Sequence, residues 1–173
     1  SRPVTLKMRL GWDDKNRNAP ELAARAQALG IKAITVHGRT RSQLYMGVAD
    51  WNAVAQVRAA TTLPLIVNGD IVCADTARIA MARSGADAVM LGRGTYGRPW
   101  IMAAIGRALE TGANMADEPA LPHRLEVALK HFSETLKFYG DALGLKIFRK
   151  HLGWYVEQAL MPADSAIRRA AKA

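Results

Sequence analysis

Four short stretches alternate apolar and polar side chains, and the first three are each followed by a longer stretch with apolar residues every three or four positions. No other feature limits the possible folds of this chain so strongly. Alternation with period two sends neighbours to opposite faces of a β-strand. In Pro3 to Arg9, Val4, Leu6 and Met8 share one face, and Thr5, Lys7 and Arg9 the other. Ala33 to His37 repeats this with Ile34 and Val36 against Ala33, Thr35 and His37. Pro64 to Asn68 and Asp87 to Gly92 agree: Leu65, Val67, Val89 and Leu91 form the apolar set, and Asn68 and Gly92 close the opposite one. Between them lie helical spacings, Leu22, Ala26 and Leu29, then Trp51, Val54 and Val57, then Ala77, Ala80, Met81 and Ser84, opened by Pro20, Asp50 and Asp75. Strands alternating with helices argue an α/β fold with a parallel sheet. In a (β/α) barrel the outer strand face packs on helices, and chemistry gathers at the C-terminal strand ends. Polar residues on the other face at those ends, Lys7, Arg9, His37 and Asn68, with Gly92, therefore mark a candidate ligand site.

The pattern changes near Gly112 to Pro122, where Gly, Asn, Asp, Glu and two prolines interrupt it. Beyond, the chain reads as all helix. Leu125, Leu129, Phe132 and Leu136 make one apolar stripe, expected to be core, and Ile147, Leu152 and Tyr155 contribute to another. Cations collect on the polar side: Lys146, Arg149, Lys150 and His151, then Arg168, Arg169 and Lys172. The organisation expected is residues 1–112 as βα units, 113–122 as a linker and 123–173 as a helical domain.

Charge and cysteine usage narrow the function classes. Lys plus Arg number 24 against 15 acids, a formal +9, which makes a polyanion a fair expectation for a partner. A single cysteine excludes an internal disulfide framework and fits a reducing, cytoplasmic setting. No signal-peptide pattern opens the chain, and no apolar run is long enough to span a membrane.

Two loops carry the most specific chemistry. Asn68-Gly69-Asp70 ends the third strand, and Gly92-Arg93-Gly94 ends the fourth, ahead of a Thr95 to Gly97 segment and a helix begun by Pro99. Glycines let backbone N–H groups approach an anion, a following helix N-terminus favours negative charge, and Arg93 can add a bidentate contact. Barrels often bind phosphate after strands 7 and 8. On that assignment the chain starts at strand 5 and forms the C-terminal half of a (β/α)8 TIM barrel, strands 5–8, followed by an all-α helical bundle. The plainer reading gives Gly69 and Gly94 only tight turns to make.

Lys7-Met8-Arg9, Val36-His37-Gly38-Arg39-Thr40-Arg41, Val67-Asn68-Gly69-Asp70-Ile71, Gly92-Arg93-Gly94 and Arg98-Pro99-Trp100, in that order, resemble the tRNA-dihydrouridine synthases, most of all their bacterial B-type (DusB-like) branch. Lys146 to Tyr155 is similar to that family's C-terminal helical domain. The resemblance implies a flavoenzyme that uses FMN, with NADPH as co-substrate, to reduce the C5–C6 double bond of uridine in tRNA, an oxidoreduction at a CH–CH bond. It matches Lys7 to a lysine beside the flavin pyrimidine edge, His37 to a residue near the flavin, and Asn68, Gly69, Asp70, Gly92 and Arg93 to FMN ribityl and phosphate contacts. Arg39 and Arg41 would lie near entering RNA, and Lys146, Arg149 and Lys150 would bind it. Taken singly, a strand-end lysine can snorkel, a histidine can be a structural hydrogen-bonder, and a loop arginine can simply be solvated.

The family's catalytic cysteine, which donates a proton to the uracil ring, lies in the barrel half that this chain does not match. Cys73, in the apolar run Ile71-Val72-Cys73-Ala74, is expected instead to be a small buried hydrophobe. The chain alone is therefore expected not to reduce uridine. Unpaired edges of the first and fourth strands would suit a homodimer of half barrels. Two other classes stay open: another FMN barrel acting on a small molecule, which leaves the basic helices unexplained, and a non-catalytic RNA-binding module, which leaves Lys7 and His37 idle.

Overall fold

The structure is a computed structural model that describes residues 2–113 and 119–159. The chain divides into two compact units, Ser1–Gly94 with Ile105–Asn114, and Thr95–Ala104 with Met115–Ala173.

In the first unit, β1 (Leu6–Arg9), α1 (Ala19–Ala28), β2 (Ile34–His37), α2 (Trp51–Ala60), β3 (Leu65–Asn68), α3 (Ala74–Ser84) and β4 (Ala88–Met90) follow one another. The four strands form one parallel sheet in the order β1-β2-β3-β4. Consecutive parallel strands joined by right-handed crossovers put all their helices on one face, as in part of a (β/α) barrel. Register runs straight across the sheet: Met8, Val36, Val67 and Val89 are partners in one row, and Arg9, His37, Asn68 and Met90 in the next. Ile34, Val36, Leu65 and Val67 are fully buried, each contributing roughly 1.5–3 kcal/mol. The alternate face carries Lys7, Arg9, Thr35, His37 and Asn68.

The helices approach through small residues. Ala19, Ala23 and Ala26 form the buried side of α1, so the expected stripe is corrected there: Leu22 and Leu29 are exposed. Val54 and Val57 bury as expected on α2, whose first turn is capped by the Asp50 carboxylate accepting from the Ala53 N–H at 2.9 Å. α3 buries Ala77, Ala80 and Ser84 and ends at Gly85, whose φ of +65° suits glycine.

Element-end expectations change in β1, β4 and α4. β1 starts at Leu6 rather than Pro3, and β4 covers only Ala88–Met90 instead of reaching Gly92. Met90 therefore closes the ladder, and Gly92 lies in the following loop. After a short 3-10 turn at Arg93–Thr95, α4 spans Ile101–Thr111, two residues past the expected start at Pro99.

The second unit contains an antiparallel hairpin of α5 (Leu121–Tyr139) and α6 (Asp141–Gln158), turned at Gly140 with φ +76°. The helices meet closely at Gly144, where a Cβ would stand 2.9 Å from Leu136 Cδ2. Their packing is aromatic: Phe148 lies 4.9 Å from Phe132 and 5.3 Å from His131, ring centre to ring centre. The expected core stripe holds on α5 only at Phe132 and Leu136, because Leu125 and Leu129 are each 57% exposed. On α6 the buried residues are Gly144, Phe148 and Val156, not the expected Leu152, which is exposed. Arg168, Arg169 and Lys172 lie outside the described residues.

Gly94 and Gly92 make a paired test of this packing. A Cβ at Gly94 would sit 2.5 Å from the Ile71 carbonyl and 3.2 Å from Val72 Cα, whereas one at Gly92 would meet nothing within 4 Å. Gly94→Ala is expected to cost about 1–3 kcal/mol in urea unfolding, and Gly92→Ala less than about 0.5 kcal/mol.

Candidate functional site

Parallel register brings Arg9, His37 and Asn68 to one level at the C-terminal sheet end, where the loops after β2, β3 and β4 converge. Their geometry is set by one ion pair. Arg39, 1% exposed, donates from Nη1 to Asp70 Oδ1 at 3.0 Å and from Nη2 to Asp70 Oδ2 at 2.7 Å. Its remaining donors are engaged as well, Nε by the Met46 carbonyl at 3.0 Å and Nη2 by that of Gly47 at 2.7 Å. A planar fork satisfied on every side holds both loops in one arrangement. Arg39, expected near entering RNA, is here buried with its donors engaged inside the protein.

Asp70 is likewise committed within the protein. Oδ2 accepts from the Ala49 N–H at 2.7 Å, and Arg93 Nη2 approaches Oδ1 at 3.6 Å. Burial pushes its carboxyl pKa upward, but the hydrogen bonds from Arg39 and Ala49 and the two guanidinium charges outweigh this and lower it. Asp70 has φ +56°, which its side-chain bonds hold in place, and Gly69 before it has φ +114°. Gly69 is also sterically required, since a Cβ would lie 2.7 Å from His37 Cδ2 and 2.8 Å from Ala49 Cβ. Its carbonyl accepts from Trp51 Nε1 at 2.9 Å, and Asn68 Nδ2 donates to the Met90 carbonyl at 2.7 Å. This loop is thus braced from β4, α2 and the β2 side together.

His37 is buried against this clamp. Burial, then the charges of Arg9, Arg39 and Lys7, lower its pKa to about 4. Arg39 Nη1 lies 3.4 Å from His37 Nε2. An arginine can only donate, so Nε2 is the acceptor and the ring proton sits on Nδ1.

Lys7 is exposed on the same strand face. Gly92 and Arg93 are exposed in the loop after β4, at the other edge of the sheet. Arg41 is exposed in the loop after β2. Lys146, Arg149 and Lys150 are exposed on α6 in the second unit, Lys150 with its ammonium 4.9 Å from the centre of the Trp154 ring.

Sequence reasoning missed Tyr45. It is 61% exposed, with the Arg93 guanidinium 4.6 Å and that of Arg9 5.8 Å from its ring centre. Arg9 is held by the Thr40 and Leu44 carbonyls, both at 2.8 Å. Leu44, Met46 and Val48 are exposed with it. The available signal was an aromatic flanked by apolar residues in an otherwise polar loop.

Cys73 is also corrected. It is half-buried at the N-cap of α3, where Thr76 Oγ1 receives its N–H at 3.0 Å and lies 3.5 Å from its sulfur. Burial raises the thiol pKa, but hydrogen bonds from Thr76 and the backbone of Asp75 prevail and lower it.

Arg39 and Arg93 thus face the Asp70 carboxylate, which is already paired, while Lys7 and Arg9 add charge from β1, leaving a positively charged strand end with an exposed aromatic. Fold and site define a parallel βα protein with a cationic cluster at its strand C-termini. The family model described as Dihydrouridine synthase (Dus) matches residues 1–173. The chain is 52% identical over 171 residues to the probable tRNA-dihydrouridine synthase of Rhodobacter capsulatus, covering 97% of this chain and 52% of that protein. It is 49% identical over 156 residues to the probable tRNA-dihydrouridine synthase of Rhizobium leguminosarum, covering 90% and 47%. With tRNA-dihydrouridine synthase B of Pseudomonas aeruginosa it shares 44% over 166 residues, covering 96% and 49%. The chain belongs to the dihydrouridine synthase family, and it spans about half the length of these curated relatives.

The His37 environment carries a pH dependence of stability. Its folded pKa lies below the unfolded value of 6.5, so the unfolded chain binds the proton first as pH falls. Stability is expected to be complete above pH 6.5 and to decline down to about pH 4, by at most roughly 3 kcal/mol. Urea unfolding across that range checks this: His37→Gln should flatten the slope, and an unchanged slope would place its origin elsewhere.

Proposed function

We propose that this chain is the flavin-phosphate and RNA-binding half of an FMN-dependent tRNA-dihydrouridine synthase, reducing uridine to 5,6-dihydrouridine in tRNA with NADPH as reductant. The observation that carries this reading is the cationic strand end whose Asp70 carboxylate is already held by Arg39. On this reading β1 to β4 are strands 5–8 of a (β/α)8 barrel within residues 1–112, residues 113–122 link, and 123–173 are the tRNA-binding helical domain. The outer strands β1 and β4 are where the remaining barrel strands, or a second copy of this chain, would pair.

The residues present fit FMN by charge and by space. Gly92 is an open backbone position that admits an anion closely, and Arg93 stands next to it with an exposed guanidinium. FMN would supply hydride transfer when bound. Lys7 contributes a fixed cation at the strand end, which favours negative charge developing on a ring placed there. Neutral His37, its tautomer set by Arg39, offers one N–H donor without adding charge. Asn68, Gly69 and Asp70 shape the wall between them, Asp70 by organising arginines rather than by touching phosphate. Arg9 and Arg93 hold Tyr45 as a rigid aromatic edge for a planar base.

We assign no proton donor to uracil within this chain. Cys73, its single cysteine, is engaged in capping α3. The 173 residues by themselves are expected to form no dihydrouridine in a tRNA transcript supplied with FMN and NADPH, as read by mass spectrometry of nucleosides. Product above the no-enzyme level would contradict the assignment.

Cofactor binding is tested by FMN fluorescence titration. Arg93→Ala and Lys7→Ala are each expected to weaken binding tenfold or more, the scale of one lost charge-assisted hydrogen bond. Gly92→Ala should weaken it with no loss of stability. Equal affinity in all three variants, or none in the parent chain, would remove the flavin reading. For RNA, replacing Lys146, Arg149 and Lys150 together by alanine is expected to reduce the log–log salt slope of tRNA binding by roughly 2–3. An unchanged slope would move the phosphate contacts elsewhere.

A further inference from the structure

The second unit holds a cavity of about 520 Å³ between the Thr95–Pro99 segment and the facing sides of α5 and α6. The site at the strand ends makes no use of it. Its walls are mainly apolar and flat: Tyr96, Val127, His131, His151 and Tyr155 line it, with Lys130 and Glu134 as the charged residues on the wall. Volumes of this order suit a small planar ligand.

These walls are rigid for identifiable reasons. Tyr96 stacks on Trp154, ring centres 3.8 Å apart and planes within 13°, so one face is already covered and the ring is fixed. His131 lies edge-on to His151 at 4.7 Å, and its Nδ1 is 3.2 Å from the Tyr155 hydroxyl. Gly97 brings the segment against the Trp154 backbone, where any side chain would collide. Burial lowers the pKa of both imidazoles, that of His151 further through His131 and Lys150, so both are neutral at pH 7. Neutral imidazoles and a phenol each donate and accept one hydrogen bond at a fixed angle. That set suits the alternating donors and acceptors of a heterocycle edge better than it suits a free carboxylate or phosphate. Cations stand around it: Lys130 on the wall and Lys150 over Trp154.

We propose that this cavity is a nucleobase subsite, taking one unpaired base of the bound RNA against its aromatic walls, with Lys130 and Lys150 serving the flanking phosphates. Single-stranded positions are recognised in this way, by rings that stack and polar groups that read a base edge. The inference rests on the reading that RNA is the partner and adds a second contact, remote in sequence from the residues of the strand ends. It makes the helical unit a reader of an unpaired nucleotide as well as a cationic surface.

The test measures equilibrium binding of the 173-residue chain, at fixed salt, to a tRNA transcript and to a blunt RNA duplex with the same number of phosphates. The parent is expected to prefer the transcript. Val127→Trp, which fills the cavity without changing charge, should weaken transcript binding about tenfold and leave duplex binding as it was. Tyr155→Phe removes one hydroxyl and should lower the preference without altering the fold, read by circular dichroism, so the question is decided even if Val127→Trp does not fold. Transcript carrying 4-thiouridine should cross-link on irradiation to Tyr96, His151 or Tyr155, mapped by mass spectrometry. An unchanged preference in the folded variants, with adducts elsewhere, would overturn the subsite while leaving RNA binding intact. Failure of the parent to bind either RNA would instead overturn the RNA reading and the subsite with it.

Discussion

The strand-end site depends on one ion pair, that of buried Arg39 with part-buried Asp70. Burying a guanidinium is costly, and the arrangement persists because the fork is bidentate and the other Arg39 donors are met by the Met46 and Gly47 carbonyls and by His37 Nε2. From this follow the left-handed Asp70, the close approach of Gly69 to His37 and the position of the Met46–Gly47 backbone. The pair joins the loops that leave β2 and β3, strands already adjacent in the sheet. It also neutralises the Asp70 carboxylate, so Lys7, Arg9 and Arg93 contribute net positive charge at the strand ends.

The two faces of the sheet divide the work. One is β-branched and leucine side chains under alanine-rich helices, where small residues let backbones approach and burial supplies stability. The other ends in a row of Arg9, His37 and Asn68, kept level by straight parallel register. Burial first, and then three neighbouring cations, disfavour a charged His37, which is why its pKa is lowered. The helical unit uses other means, a ring cluster in which histidines pack as neutral aromatics.

Much of the fold was legible because period-two and helical spacing follow directly from backbone geometry. Parallel strands, their order of appearance and the later all-helical stretch could all be read from Val36, Val67, Val54 and Val57 and their neighbours. What could not be read were choices made by packing. Leu22 and Leu29 have the right spacing, yet Ala19 and Ala23 are the residues small enough to sit against the sheet. Leu125 and Leu129 form a regular stripe, but their helix pairs with α6 through Thr135, Phe132 and His131, leaving the leucines outside. In the site, motif order drew attention to Arg39 and Asp70 without showing that they satisfy each other; two loop residues 31 positions apart have no sequence signal of pairing. Tyr45 escaped because an exposed aromatic gains meaning only when Arg9 and Arg93 are seen to flank it. Cys73 was misjudged because its neighbours are apolar, whereas helix geometry makes it a cap.

The most direct test of this account is a double-mutant cycle on the clamp, comparing the unfolding free energies of the parent, Arg39→Met, Asp70→Asn and the double variant. The account predicts that each single change is severe, about 3–5 kcal/mol, and that the pair is coupled by roughly 2–3 kcal/mol. Additive effects, with coupling below about 0.5 kcal/mol, would contradict it and leave the strand-end site without the interaction that organises it.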